Sequence, residues 1–476
     1  MEKEIATKTK NVHARTYIKD LPAHIGKEVT VQGWVDGRRD HGKLIFIDMR
    51  DVENGQAVKV QMVALPNHAE AHATAQTLRA EWVIEVKGKV NGRPEKMISK
   101  NKDDSNGALE IEITDIRVLA AAKELPFEKN APLNMDTYLD HLPLTLRSDR
   151  SRAIFKVQAT IIGAFREFLD SQGFTEFQSP KLIGEDAEGG ANSFDVEYFG
   201  HKAHLGQSPQ LYKQIMAGVF ERVYATGNVY RAEKHSTTRH INEYTSLDIE
   251  MAFIKDHTDV MEMETRFLAH IMKRLEEKCS AEFALFASAE SATGGNGAKV
   301  GTVAGIPKVP KIIPSMKLRE AQAIIKKEYG QDCSSEPDLE PQHERWLCEY
   351  AAAKLDSDFI FITHFPISKR PFYTYEDEAD PGYAKGGDLL FRGVEITTLA
   401  QRIHDYDKLL ASLVKKGLDP EKFRFYLQAF KYGMPPHGGL GFGLERFTAK
   451  LLGLDNVKEA TLFPRDINRI DNLLSK

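Results

Sequence analysis

The chain has 476 residues, 42% hydrophobic and 28% charged, with a formal net charge of -5. That length calls for more than one hydrophobic core. The mild acidity excludes a protein that coats nucleic acid by bulk charge, but not one that meets RNA through a single basic face. Three scattered cysteines, Cys279, Cys333 and Cys348, make neither a disulfide framework nor a CxxC zinc site. No apolar run is long enough to span a membrane. Met1–Tyr17 lacks the apolar core of a secretory leader, so a reducing, cytoplasmic setting is expected.

Taken in order, residues 1–120 read as a small barrel. From Thr30 three strand-like runs follow one another, punctuated by Gly and Asn. A polar, helix-compatible stretch at Asn67–Glu81 precedes two more. Five strands with a helix between the third and fourth are the order of an OB-type barrel, a fold that commonly binds single-stranded nucleic acid. Phe46 is a candidate for stacking on an unpaired base and Gln61 for reading a base edge, with Arg38 and Arg39 beside them. Residues 121–147, with Pro126, Pro132 and Pro143, read as a linker, and 148–476 as a larger domain.

That domain opens with an amphipathic helix at Ser151–Gly173, its apolar residues at helical spacing and Gly173 as its stop. FTEFQSPKLI reads as a strand carrying Pro180, which restricts it to an edge or an interface. Asp186–Ser193 reads as a mobile polar loop. Tyr198–Phe220 reads as strand, turn and helix. The hairpin YRAEKHSTTRHINEYTSLDIEMAF, Tyr230–Phe253, follows. Its returning half puts Tyr244, Ser246, Asp248 and Glu250 on one face and Leu247, Ile249 and Met251 on the other. Arg231 and Glu233 are expected to share a face of the outgoing strand. Asp256–Lys278 reads as a long helix, and Phe283–Pro314 as a flexible or loosely packed connection. Helices near Leu318–Tyr329 and Glu344–Leu355, a buried strand FIFITHFP and a strand-like Asp388–Gln401 come next. The chain then runs into HGGLGFGLERFTAKLLGL. Gly438, Gly439, Gly441 and Gly443 line a strand that something must approach closely. Glu445 and Arg446 follow at a helix start. The spacing fits neither a P-loop nor a dinucleotide fingerprint.

These motifs carry a resemblance. The hairpin resembles motif 2 of the class II aminoacyl-tRNA synthetases, GLGFGLERF resembles motif 3, and GFTEFQSPKL resembles motif 1. They occur in that order behind an OB-like domain, which is the arrangement of the class IIb subgroup. The catalytic stretch is similar to the archaeal and eukaryotic aspartyl branch, without the large bacterial insertion. The implied fold is α+β: an OB barrel, then an antiparallel sheet flanked by helices.

The resemblance implies ATP as substrate and Mg²⁺ as cofactor, with L-aspartate, tRNA(Asp) and a homodimer through the segment around Pro180 as partners. Charging of tRNA(Asn) is left open, since Asp36 matches neither pattern expected there. By resemblance, Arg231 contacts the α-phosphate, where charge develops during in-line attack. Glu233 binds the adenine amino group. Tyr244 and Arg446 cover its two faces, and Arg239 and His240 serve the phosphates. Glu188 and Asp248 bind the substrate ammonium, and Gln210, Lys213 and Arg402 face its carboxylates. Asp388, Glu395 and Thr398 organise Mg²⁺, Thr398 also bordering the aspartate. Arg39, Phe46 and Gln61 match anticodon-reading positions. Lys213 and Arg402 oppose the asparagine-specific alternative, and the intact ATP residues oppose a catalytically silent RNA-binding paralogue. The OB stretch opposes a tRNA-independent asparagine synthetase. Relatives usually carry Gly where this chain has Leu399, which is expected to crowd the pocket or reshape the loop, and to slow or alter aspartate activation.

Overall fold

Alternation builds the first unit. The structure, a computed structural model, describes residues 15–53, 56–98, 106–129, 131–185, 192–292 and 305–474. The chain divides into two compact units, Met1–Tyr138 and Leu139–Lys476. In the first, strands β1 (Glu28–Asp40), β2 (Ile45–Glu53) and β3 (Gln56–Ala64) are followed by helix α1 (Ala69–Thr77), then β4 (Val83–Gly92) and β5 (Leu109–Ala120). They close in the order β1-β2-β3-β5-β4. Along β2, Ile45, Ile47 and Met49 are fully buried inside while Phe46 and Asp48 are only partly covered. Gly33 and Gly88 are where strands press closest: a Cβ on either would lie 2.3 Å from a backbone oxygen.

The segment after β5 is fastened to its own barrel by charge. Lys129 Nζ reaches Asp36 Oδ1 at 2.7 Å and Glu81 Oε1 at 2.9 Å. Arg50, buried, pairs with both acids. Burial alone would raise the Asp36 carboxyl, but Lys129 and Lys59 outweigh it and hold it far below the usual range.

The second unit begins with short helices α2 (Met135–Asp140) and α3 (Leu142–Thr145), the first of which starts just before the unit boundary, then α4 (Asp149–Ser171). Ser148 caps α4 by accepting from Ser151 N, and Gly173, at φ +77°, ends it. The expected strand around Pro180 is instead two dipeptide strands, β6 (Thr175–Glu176) and β7 (Leu182–Ile183), with exposed Pro180 between them. Strands β8 (Asp195–Tyr198) and β9 (His201–Leu205) join β7 in a small sheet, and helix α5 (Gln210–Phe220) follows.

Strands β10 (Arg222–Tyr230) and β11 (Glu243–Ala252) form the hairpin. The outgoing strand ends at Tyr230, so Arg231 and Glu233 lie in the loop and do not share a strand face. Helix α6 (His257–Ala292) kinks at Cys279 and continues well past Lys278. Phe283 and Phe286 on it are buried, so the first part of the expected loose connection is packed helix. Residues 293–304 lie outside the described residues. Next come β12 (Ser315–Lys317), α7 (Leu318–Tyr329), α8 (Pro341–Leu355), β13 (Phe359–Thr363), β14 (Gly386–Phe391) and β15 (Val394–Gln401). Helices α9 (Tyr406–Lys415) and α10 (Arg424–Lys431), which the pattern reading left unassigned, pack around their own small core. Strand β16 (His437–Gly443) runs into helix α11 (Leu444–Leu451).

The large sheet has the order β12-β13-β14-β15-β16-β11-β10-β6 and is antiparallel except at its two outermost pairs. Leu247, Ile249 and Met251 of β11 join α4, α6 and α11 in the main core. The opposite face of β11 carries Ser246, Asp248 and Glu250, which places acids on the centre of the sheet.

Candidate active site

Ser246 and Asp248 form part of the floor of a cleft with about 340 Å³ of free volume, while Glu250 is fully buried and does not line it. Gln210 and Lys213 from α5, Arg231, Glu233, Arg239 and His240 from the hairpin loop, and Tyr244 and Asp248 from β11 all line it. Glu395 and Thr398 from β15, Arg402 just beyond it, and Arg446 from α11 complete the wall. Glycine is required in β16 for two different reasons. A Cβ on Gly439 would lie 2.2 Å from Glu250 Oε2, and one on Gly438 would meet Ile254 at 2.7 Å. Gly441 and Gly443 line the cleft itself. So the close approach expected of all four glycines divides: two make room for neighbouring backbone and side chains of the protein itself, the Ile249 carbonyl being nearest to Gly439 at 2.1 Å, and two leave an open floor.

A buried charge quartet sits at one end. Lys213 Nζ donates to Asp248 Oδ1 at 2.8 Å and to Leu440 O at 2.8 Å, and lies 3.7 Å from Glu250 Oε2. Arg402 donates to Glu250 Oε1 through Nε at 3.0 Å and to Gly439 O at 3.0 Å. All four side chains are buried. Two cations against two carboxylates is a balanced set, which is what permits charges this deep. The Gln210 amide nitrogen is buried and has no partner among the described residues, an open donor at the same end. Glu250 is not among the site residues that the resemblance implies. The alternation that picked out Asp248 put it on the same face.

The other end is cationic and aromatic. The Arg231 guanidinium lies 5.7 Å from the Tyr244 ring centroid. Arg239 donates to Glu344 Oε2 at 2.7 Å, while its Nε and other terminal nitrogen are buried without a partner among the described residues. Burial lowers the His240 pKa, and Arg446 and Arg239 push it further down, so its imidazole is neutral near pH 7. Thr237 Oγ1 sits 2.7 Å from its Nδ1. Glu445, also unassigned before, accepts from Thr245 N through both oxygens at 3.0 Å, and burial pushes its carboxyl up to about 7.

Three expected residues stand differently. Asp388 does not line the cleft. It is buried in a two-pronged pair with Arg370 at 2.9 and 3.2 Å, and Arg370 lines the cleft in its stead. Burial raises the Asp388 carboxyl, with Arg370 opposing. Leu399 borders the cleft, but its side chain is 1% exposed and belongs to the main core, so it does not crowd the pocket as expected. Glu188 lies outside the described residues. Glu395 and Thr398 remain together, Thr398 Oγ1 donating to Glu395 Oε1 at 2.7 Å. One cleft carboxylate beside a hydroxyl fits a Mg²⁺ held mainly by phosphates. Among the described residues no cluster of three or more acid, His or Cys side chains forms a protein-built cage.

In the barrel unit, Arg39, Phe46 and Gln61 form one outward stripe. Arg39 is directly opposite Phe46, and Asp48 opposite Gln61. Arg39 donates to Asp48 at 2.7 Å and to Gln61 Oε1 at 3.1 Å. Phe46 is half-buried, with its edge against His41.

Residues 134–467 match the family model described as tRNA synthetases class II (D, K and N), and residues 29–119 match that of the OB-fold nucleic acid binding domain. An aspartate--tRNA(Asp/Asn) ligase of Deinococcus radiodurans is 43% identical, covering 96% of this chain and 98% of that protein. The Thermus thermophilus protein of the same name is 42% identical over 96% and 99%. Among solved structures, asparaginyl-tRNA synthetase from Pyrococcus horikoshii with asparaginyl-adenylate is similar at TM-score 0.84 and 31% identity, covering 96% of this chain and 99% of that one.

Proposed function

The chain belongs to the class II tRNA synthetases of the D, K and N group, and from that premise we propose that it is an aspartate–tRNA ligase. It activates L-aspartate with ATP and passes the aspartyl group to the 3′ end of tRNA(Asp), and of tRNA(Asn) as the names of its relatives suggest. The observation that carries the amino acid is the buried pairing of Lys213 and Arg402 with Asp248 and Glu250 in the cleft that also holds Arg231 and Tyr244. A second carboxylate on the substrate has two cations to meet there. A neutral amide would leave them underused.

The residues divide the chemistry between them. Asp248 holds the substrate ammonium, and Gln210, Lys213 and Arg402 hold its carboxylates. Tyr244 and Arg446 sandwich adenine, and Glu233 accepts from its amino group. Arg231 stabilises charge growing on the α-phosphate as the aspartate carboxylate attacks and pyrophosphate leaves. Arg239 and neutral His240 donate to the outer phosphates. Mg²⁺, when held by those phosphates, adds Lewis-acid charge stabilisation, and Glu395 and Thr398 are the hard oxygens positioned for it. The protein supplies no covalent nucleophile. Its contribution is alignment and charge.

Arg39, Phe46 and Gln61 read the anticodon. A homodimer is supported by exposed Leu182, Tyr198 and Phe199 on the small sheet that follows Pro180, Phe199 being 86% exposed. The three cysteines are free, in keeping with a reducing, cytoplasmic setting. Among the described residues no helix is long and apolar enough to cross a membrane. Arg231→Ala should abolish aspartate-dependent ATP–pyrophosphate exchange while leaving tRNA binding intact. Persistent exchange would remove Arg231 from this role. Aminoacylation of both tRNA transcripts decides the tRNA range.

A further inference from the structure

We propose that Asn242 is the positioning residue for Arg231 and Glu233, and that the C-terminal segment holds Asn242 in place. The inference rests on the ATP-binding reading of those two residues. Both lie in a loop beyond the end of β10, where the regular β10–β11 pairing has stopped at Tyr230 and Glu243. Asn242 replaces the ladder. Its carbonyl accepts from Arg231 N at 2.9 Å, and its side-chain amide donates to Arg231 O at 2.9 Å and Glu233 O at 3.2 Å. Its own N–H donates to Arg465 O at 2.7 Å. The residue is 7% exposed. Two carbonyl acceptors fix the amide with its nitrogen inward, so only a neutral double donor of this length suits the position. Glu233 N also donates to Arg231 O at 2.8 Å and Ala232 N to Asn192 O at 2.6 Å, and the Asn242 amide is the side-chain contact that ties the backbones of both nucleotide-facing residues.

The anchor is itself braced. The Arg465 guanidinium staples the C-terminal turn by donating to Phe463 O at 3.2 Å, Ile470 O at 2.9 Å and Asp471 Oδ1 at 2.8 Å. Upstream, Val457 N donates to Thr238 O at 2.9 Å, at the middle of the same loop. Lys458 Nζ lies 2.5 Å from Asp466 Oδ2 and 3.4 Å from Ser236 Oγ. Residues 457–465 therefore follow the loop and hold it at three points: Ser236, Thr238 and Asn242.

The test uses Asn242→Ala, Asn242→Asp and Arg465→Ala in the full chain, with Arg231→Ala as reference. Asn242→Asp keeps the size but turns a double donor into an acceptor facing two carbonyls. The expected result is a loss of about 10- to 100-fold in kcat/KM for ATP in pyrophosphate exchange, the effect of two hydrogen bonds, with the aspartate KM unchanged. Arg465→Ala should show a smaller loss of the same kind. Asn242→Asp should recover part of its activity, relative to wild type, as pH falls and the acid regains a donor. The inference is overturned if ATP and aspartate parameters fall together. It is also overturned if the Asn242 variants match wild type while Arg231→Ala abolishes exchange. If Arg231→Ala itself retains exchange, the reading of Arg231 fails instead, and the inference with it.

Discussion

Replacing Lys213 by Met tests whether the preference for aspartate rests on charge. The side chain is 1% exposed, and Met keeps most of its volume. Lys213 and Arg402 balance Asp248 and Glu250, so removing one cation leaves this end of the cleft with a net charge of minus one. A substrate carboxylate held about 4 Å from the missing ammonium would lose about 4 kcal/mol at an effective dielectric of about 20. That corresponds to a rise of about 10³ in the aspartate KM. Asparagine presents a neutral amide and loses only a hydrogen bond, about 1 kcal/mol. The aspartate-to-asparagine ratio of kcat/KM should therefore fall by about 10². Stability will also fall, because Asp248 loses its partner; truncating one side of a buried pair costs about 3–5 kcal/mol. The Ser246 hydroxyl, 2.5 Å from Asp248 Oδ2, remains to soften that loss. Pyrophosphate exchange with each amino acid, run below the melting temperature, gives the ratio, and the ATP KM reports whether the rest of the cleft survives. A folded variant with an unchanged ATP KM and an aspartate KM within about threefold of wild type would refute the charge argument.

Further tests reach beyond this end of the cleft. Glu264 on α6 is fully buried, and burial pushes its carboxyl up to about 8, with the Thr397 hydroxyl opposing. The folded state thus keeps a proton that the unfolded chain releases near pH 4.5, so this group's stabilising contribution is full below that pH and is lost as pH rises to about 8. Glu264→Gln should raise the melting temperature more at pH 8.5 than at pH 5.5, and equal shifts would exclude an ionising Glu264. Leu399→Gly should act through the core, lowering stability by about 3–5 kcal/mol in denaturant unfolding, with the aspartate KM unchanged; faster activation without destabilisation would restore the crowded-pocket idea. Phe46→Ala should weaken tRNA binding by about 1–3 kcal/mol and leave pyrophosphate exchange untouched, so an equal loss in both assays would remove Phe46 from the anticodon surface.

What could be read in advance was set by periodicity. The barrel strands announce themselves because Ile45, Ile47 and Met49 alternate with outward residues, and that alternation also turns Phe46 outward. The same rule put Asp248 and Glu250 on one face of β11. It failed where periodicity is broken or absent. Strand β15 has a register shift against β14 between Leu389 and Leu390, so a count along Asp388–Gln401 does not tell that Leu399 points into the core. The partner of Asp388 is Arg370, which lies in no regular element, and no spacing rule joins them. Asn242 is invisible to a pattern reading for the same reason: its side-chain amide donates to backbone carbonyls of a loop, and its own N–H is held by Arg465 O, far along the chain. The tail of α6 carries little helical pattern because Ala and Ser dominate it, and Phe283 and Phe286, three apart, mark the buried side.

The glycines of β16 sharpen a general point about such strands. Read as a row, they suggest one ligand lying along one open edge. In the folded chain a Cβ at Gly439 would meet the Ile249 carbonyl at 2.1 Å and the Glu250 carboxylate at 2.2 Å, and Glu250 is there to balance Arg402. The absence of one side chain is therefore a condition for burying an acid, and the acid is a condition for burying an arginine that still faces the cleft. Only Gly441, set against Asp248 across the sheet, and Gly443 keep the floor clear. Selectivity for a second carboxylate then begins with a vacant Cβ on the strand next to Arg402, which itself donates to Gly439 O, since a side chain at position 439 would crowd the counter-charge that allows this cation to remain buried.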